Sequence, residues 1–214
     1  VFRQTLILIA ILTVPFLWVP FMIDYDRLEL NIGAIGTPNK ARSDVKEELR
    51  VLDTEQGIPI YAPVAQSCGT KDEHRAEDGY LFGNKWISTE FVRRYYYQVH
   101  NFKMPDDLAS AKSFFDPAIQ QGAINPKPGL IQFQNGLDEI PMAGDLMVFL
   151  EGECGHIGVV TEVSENCVVI AQQNAEEEKT RETLKLHHTD DGWKVEGSRS
   201  PAAWLRLPQT DTAL

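Results

Sequence analysis

Gly83-Asn84-Lys85-Trp86-Ile87-Ser88-Thr89-Glu90-Phe91-Val92-Arg93-Arg94-Tyr95-Tyr96 divides into two halves of different character. It reads as a helix from Ser88 onward. From Ser88 to His100 the apolar residues Phe91, Val92, Tyr95, Tyr96 and Val99 recur at helical spacing, so one face of a helix is apolar. Ser88 stands at the head of that helix. Taken alone, a serine there is an ordinary N-cap.

Downstream, Asp106-Asp107 is placed to cap a second helix running through Phe115 and stopped by Pro117. Strand patterns then follow in close order at 145–150, 156–163, 167–173, 183–189, 193–196 and 203–207. Connections as short as Ser164-Glu165-Asn166 suit antiparallel hairpins. Upstream, Ile58–Tyr61 reads as a short strand. Helices first and a meander afterwards predict an α+β fold with an antiparallel sheet, not alternating β-α-β units.

The run Thr5–Ile23 carries no charge and is about long enough to cross a hydrocarbon core as a helix. No small-residue cleavage site follows it, so an uncleaved single-pass anchor is expected. Arg3 favours leaving the short end inside and placing the domain on the periplasmic or extracellular side, although Arg27, Lys40 and Arg42 follow the span and leave the cytoplasmic face as the alternative. The expected organisation is a membrane anchor over 1–23, a polar connector over 24–55, a catalytic-type domain over 56–208 and a tail over 209–214. Within the connector, Ser43-Asp44 opens a short amphipathic helix carrying Val45, Leu49 and Leu52.

The net charge of −11 excludes nucleic acid as a partner, because that binding depends on Lys/Arg contacts to phosphate. The three cysteines, Cys68, Cys154 and Cys167, lack metal-type spacing and read as buried or idle thiols, with one disulfide of unassigned pairing as the alternative if the domain lies outside the cytoplasm. His187 and His188 are adjacent in a strand and point to opposite faces, a poor arrangement for joint chelation. Neither a metal nor another cofactor is expected.

Four segments in consistent order carry a resemblance. The segment around Ser88 resembles the nucleophile-helix motif of the CHAP family (cysteine, histidine-dependent amidohydrolase/peptidase), most nearly Gly-x-Lys-Trp-Gln-Cys-Val-Glu-Phe of the glutathionylspermidine amidase type. Pro141-Met142-Ala143-Gly144-Asp145 is similar to that family's Pro-x-x-Gly-Asp turn. Gly155-His156-Ile157-Gly158 is similar to its histidine-bearing strand, and Ile170-Ala171-Gln172-Gln173-Asn174 to the Ile-Ala-Glu-Gln-Asn strand. The resemblance covers about residues 57–207. It implies a papain-like fold and hydrolysis of peptide-type amides, in peptidoglycan stem peptides or a glutathione–polyamine conjugate.

It also implies roles for particular residues. Ser88 occupies the nucleophile position, His156 that of the general acid/base and Gln172 that of the group orienting the imidazole. Trp86, Ile87, Gln173 and Asn174 are implied as substrate-binding. Three of these positions depart from the family pattern: Ser88 replaces cysteine, Ile87 replaces glutamine and Gln172 replaces glutamate. A decayed site, and so a pseudoenzyme, accounts for all three together. An engineered Cys-to-Ser change accounts for position 88 only, and a working serine hydrolase is the remaining alternative.

Overall fold

The structure is a computed structural model that describes residues 49–63, 72–105 and 108–209. The expected membrane span, the connector up to residue 48, Cys68 and the expected capping pair Asp106-Asp107 lie outside these residues. Among the described residues no helix is long and apolar enough to cross a membrane.

Two hairpins come first: β1 (Val51–Glu55) with β2 (Ile58–Tyr61), and β3 (Glu73–Arg75) with β4 (Leu81–Asn84). Helix α1 spans Ser88–His100. The rest is one antiparallel sheet ordered β11-β10-β9-β8-β7-β12-β6-β5. Its strands are β5 (Ala123–Asn125), β6 (Leu130–Gln134), β7 (Leu146–Phe149), β8 (His156–Val163), β9 (Cys167–Gln172), β10 (Arg181–Thr189), β11 (Gly192–Glu196) and β12 (Ala203–Arg206). The expected antiparallel meander is present from β7 to β11, with β12 returning to pair between β7 and β6.

Neither of two expected helices is formed as read among the described residues. Residues 51–55 form a strand, with Leu52 in β1, where a helix through Leu52 was expected. The 55–58 turn explains this: Gln56 and Gly57 both adopt positive φ, folding β1 back onto β2 and supplying it with a hydrogen-bonding partner. Arg181 then ties β1 to the domain through Asp53 and Glu55. Of the second expected helix only a 3₁₀ turn, Ala111–Phe114, is formed. Phe115 is already extended at φ −113° and ψ 137°, so the turn goes no further.

The sheet buries both faces, by alternation along each strand. Leu146, Val148, Ile157, Val159, Ala171 and Leu205 meet the α1 stripe of Phe91, Val92, Tyr95 and Tyr96. Met147, Phe149, Val160, Ile170, Leu184, Val195 and Trp204 form a second cluster. The chain leaving β6 reaches the outer edge of β11, where Gly136 and Leu137 bond the backbone of Trp193. That edge is thereby covered, which protects it from pairing with another chain.

Candidate active site

Ser88 is the first helical residue of α1, not its cap. The cap is Ile87, at φ −85° and ψ 166°, whose side chain makes no capping hydrogen bond. This one-residue offset matters chemically. A capping serine commits its hydroxyl to a backbone N–H in the first turn; at the next position the hydroxyl is released from that duty. Ser88 is nearly buried and lines a cavity of about 340 Å³. It sits at the positive end of the helix dipole, where developing negative charge is stabilised.

His156 lines the same cavity from the first position of β8, where it pairs with Phe149. Gly155 sets its entry. Its φ is +68°, and a Cβ there would lie 2.6 Å from the Phe149 carbonyl oxygen, so glycine is required on both counts. The loop carrying Gly155 is held from two sides. Cys154 is disulfide-bonded, and its carbonyl accepts a hydrogen bond from the Lys112 N–H. The expectation of idle thiols therefore fails at Cys154, whereas Cys167 is free.

Gln172 reaches the imidazole because of sheet register. It pairs with Gly158, two residues along β8 from His156, which makes Gln172 a diagonal neighbour on the same face. Gly158 has no side chain to fill the space between them. The bond joins His156 Nε2 to Gln172 Oε1 at 2.9 Å. An amide oxygen only accepts, so Nε2 carries the proton and Nδ1 of the neutral ring keeps its lone pair. The ring is thus held in the tautomer of a base.

Its charge state is held as firmly. Burial and the positive charge of Arg199 push the His156 pKa down to about 4, against the raising effect of the Gln172 hydrogen bond. The ring is neutral at pH 7. No hydrogen bond joins Ser88 to His156 among the described residues, although both line one cavity.

The remaining expected residues separate into two groups. Ile87 and Asn174 line the cavity, and Asn174 adopts a left-handed φ of 60° that suits its residue type. The Ile87 side chain offers no hydrogen-bond donor to it. Trp86 and Gln173 do not line it. Trp86 packs its ring against Tyr61 at 4.1 Å and His74 at 4.9 Å, because the β3–β4 hairpin and β2 close over that side of the chain. Gln173 is buried as a brace. Its Nε2 donates to the Ile87 carbonyl and to Glu90 Oε2, and its Oε1 accepts from the Tyr61 N–H.

Glu90 completes that brace with no exposure to solvent. Arg94 Nε at 2.6 Å and His74 Nδ1 at 2.8 Å both meet its Oε1. Burial alone would raise its pKa, but the His74 bond and the Arg94 charge outweigh this and hold it below the ordinary value. The pair and its hydrogen bonds lock the first turn of α1 onto the end of β9. Sequence reasoning did not assign Arg199, Glu153 and Glu176, which also line the cavity. Arg199 and Glu153 sit in loops and Glu176 in a short 3₁₀ turn, none with periodicity, and only the fold brings them to it.

Residues 79–174 match the CHAP domain family model. The chain carries a CHAP domain. The matched segment contains Ser88, His156 and Gln172, but not Arg199. The chain is similar to trypanothione synthetase of Crithidia fasciculata, 26% identical over 149 residues, which is 64% of this chain and 23% of that protein. It is also similar to the bifunctional glutathionylspermidine synthetase/amidase of Escherichia coli (strain K12) and of Shigella flexneri, each 30% identical over 103 residues, 46% of this chain and 16% of the relative. The chain thus spans less than a quarter of the length of these relatives.

Proposed function

We propose that this CHAP domain holds a peptide-type amide in the cavity between the head of α1 and the start of β8, with hydrolysis lost or much weakened. The observation that carries this reading is the electrostatic setting of His156. Attack by Ser88 requires the imidazole to take up the hydroxyl proton and become a cation. Burial and a nearby Arg199 oppose that cation, and the hydrogen bond from a neutral Gln172 only partly offsets them. Relative to a histidine of ordinary pKa 6.5, forming it at about 4 costs about 3 kcal/mol, roughly two orders of magnitude in rate. The missing side-chain donor at Ile87 removes about 10²–10³ more if the family's glutamine acts as an oxyanion donor.

The ligand class follows from the family and from the relatives' amidase name: peptidoglycan stem peptides or a glutathione–polyamine conjugate. An anchor over Thr5–Ile23 that places the domain outside the cell favours the former. The second reading, an active serine amidase, draws support from the uncapped position of Ser88 and the base tautomer of His156.

One experiment separates them. The full chain is incubated with a muropeptide and with glutathionylspermidine, following binding by calorimetry and amine release by mass spectrometry. Saturable binding without release above the Ser88→Ala background is expected. Turnover abolished by Ser88→Ala would reject the non-hydrolytic reading, and absence of binding to either ligand would reject the amide-holding reading itself.

A further inference from the structure

Arg199 differs from the other well-placed arginines in what it holds. The guanidinium of Arg206 bonds Asp145, Glu139 and the Ile140 carbonyl, using all three nitrogens. Arg181 similarly bonds Asp53, Glu55 and the Thr54 carbonyl, and Arg94 bonds Glu90 and the Pro59 carbonyl. Arg199 makes one long contact, from Nη2 to Glu182 at 3.4 Å. Among the described residues its Nε and Nη1 make no hydrogen bond. Yet the group is held in place, with its plane's centre 4.9 Å from the Phe149 ring centroid and its side chain about two-thirds buried.

Its location gives those unused donors a purpose. Arg199 lines the cavity that contains Ser88 and His156, and it also lines a second hollow of about 280 Å³ bordered by Gln172, Lys179 and Glu182. The two hollows share Ala175, Glu176 and Arg199. A ligand with its amide beside Ser88 therefore presents its next residue to the guanidinium. A planar fork of free N–H groups matches a carboxylate in two-bond geometry.

We infer that Arg199 is the receptor for a free carboxylate on the residue adjoining the held amide. This rests on the amide-holding reading and chooses within it. Peptides whose neighbouring residue carries a carboxylate, as in stem peptides, fit. An amide whose amine half is a polyamine would bring an ammonium towards Arg199 and does not fit. Glu153 and Glu176 also line the cavity but are solvent-exposed, where their charge is screened. They remain available to an amino group elsewhere on the same peptide.

The test uses three probes with one acyl half: N-acetyl-alanyl-alanine, its C-terminal carboxamide, and N-acetyl-alanyl-spermidine. Affinities are measured by NMR titration of the full chain and of Arg199→Gln and Arg199→Lys. The acid is expected to bind about tenfold more tightly than the carboxamide, as for a charge-assisted bidentate pair, and the spermidine amide most weakly. Arg199→Gln should erase the difference between acid and carboxamide. Arg199→Lys keeps the charge without the fork and should retain a minor part of it. As a second readout, the acid but not the carboxamide should raise the His156 titration midpoint in the wild type, by neutralising Arg199. Equal binding of acid and carboxamide, or a preference that survives in Arg199→Gln, overturns the carboxylate assignment alone. Failure of all three probes to bind overturns the amide-holding reading and this inference with it.

Discussion

Replacing Gln172 by glutamate should convert His156 from a ring held neutral into one that ionises near physiological pH. Gln172 Oε1 lies 2.9 Å from His156 Nε2, so a carboxylate there places opposite charges about 4 Å apart between group centres. At an effective dielectric constant of about 20 this attraction is about 4 kcal/mol, equivalent to about three pH units. Part of it is offset by burying the new carboxylate, since position 172 is almost fully enclosed. The nearby Arg199 lessens that burial cost. A rise of about two pH units is the expected balance, moving the His156 midpoint from about 4 to about 6. The assay is an imidazole carbon–proton NMR titration from acid to neutral pH, with the five histidines assigned by single substitution. Titration of His156 at the wild-type midpoint in Gln172→Glu would refute the argument that a charged partner at position 172 can overcome the burial and the Arg199 charge that hold this ring neutral. The catalytic corollary is graded. Ser88→Cys alone should restore little amide hydrolysis, because the imidazolium partner of a thiolate is still disfavoured. Adding Ile87→Gln and Gln172→Glu should restore more. Full activity from Ser88→Cys alone would sink that reasoning.

His156 also makes a signed contribution to stability. Its pKa is lower folded than unfolded, so the unfolded chain binds more protons between about 4 and 6.5; the contribution is intact above that window and is lost as pH falls through it. Urea unfolding of wild type against His156→Gln should show a difference that changes by about 3 kcal/mol across the window, and parallel curves would contradict it. Glu90→Gln removes the charge partner of buried Arg94 and should destabilise the domain by about 3 kcal/mol, read as a lower urea midpoint. Gly155→Ala forces a Cβ towards the Phe149 carbonyl at an unfavourable φ and should cost about 1–3 kcal/mol, while shifting the His156 resonances; a melting temperature equal to wild type would discount it.

What was legible in the sequence was whatever depends on period and order. The α1 boundaries, the strand His156–Val163 and the run of hairpins all follow from apolar spacing, because burying one face imposes that spacing locally. The order of the Ser88, His156 and Gln172 segments was enough to expect them in one site. Local signals failed where a partner distant in sequence decided the outcome. Residues 51–55 are a strand because β2 and Arg181 receive them, and Trp86 and Gln173 serve packing and bracing because Tyr61, His74 and Glu90 surround them.

The amino-acid order by itself determined which elements form and which chemical groups are present, since helix and strand periods are properties of the chain alone. Only the tertiary structure decided that Ser88 stands one residue past the cap, that the register across Gly158 sets Gln172 against His156, and that Arg199 lines one hollow with His156 and the next with Gln172. Proton affinity and donor availability depend on distances across the fold, and those are not written in any local stretch of sequence.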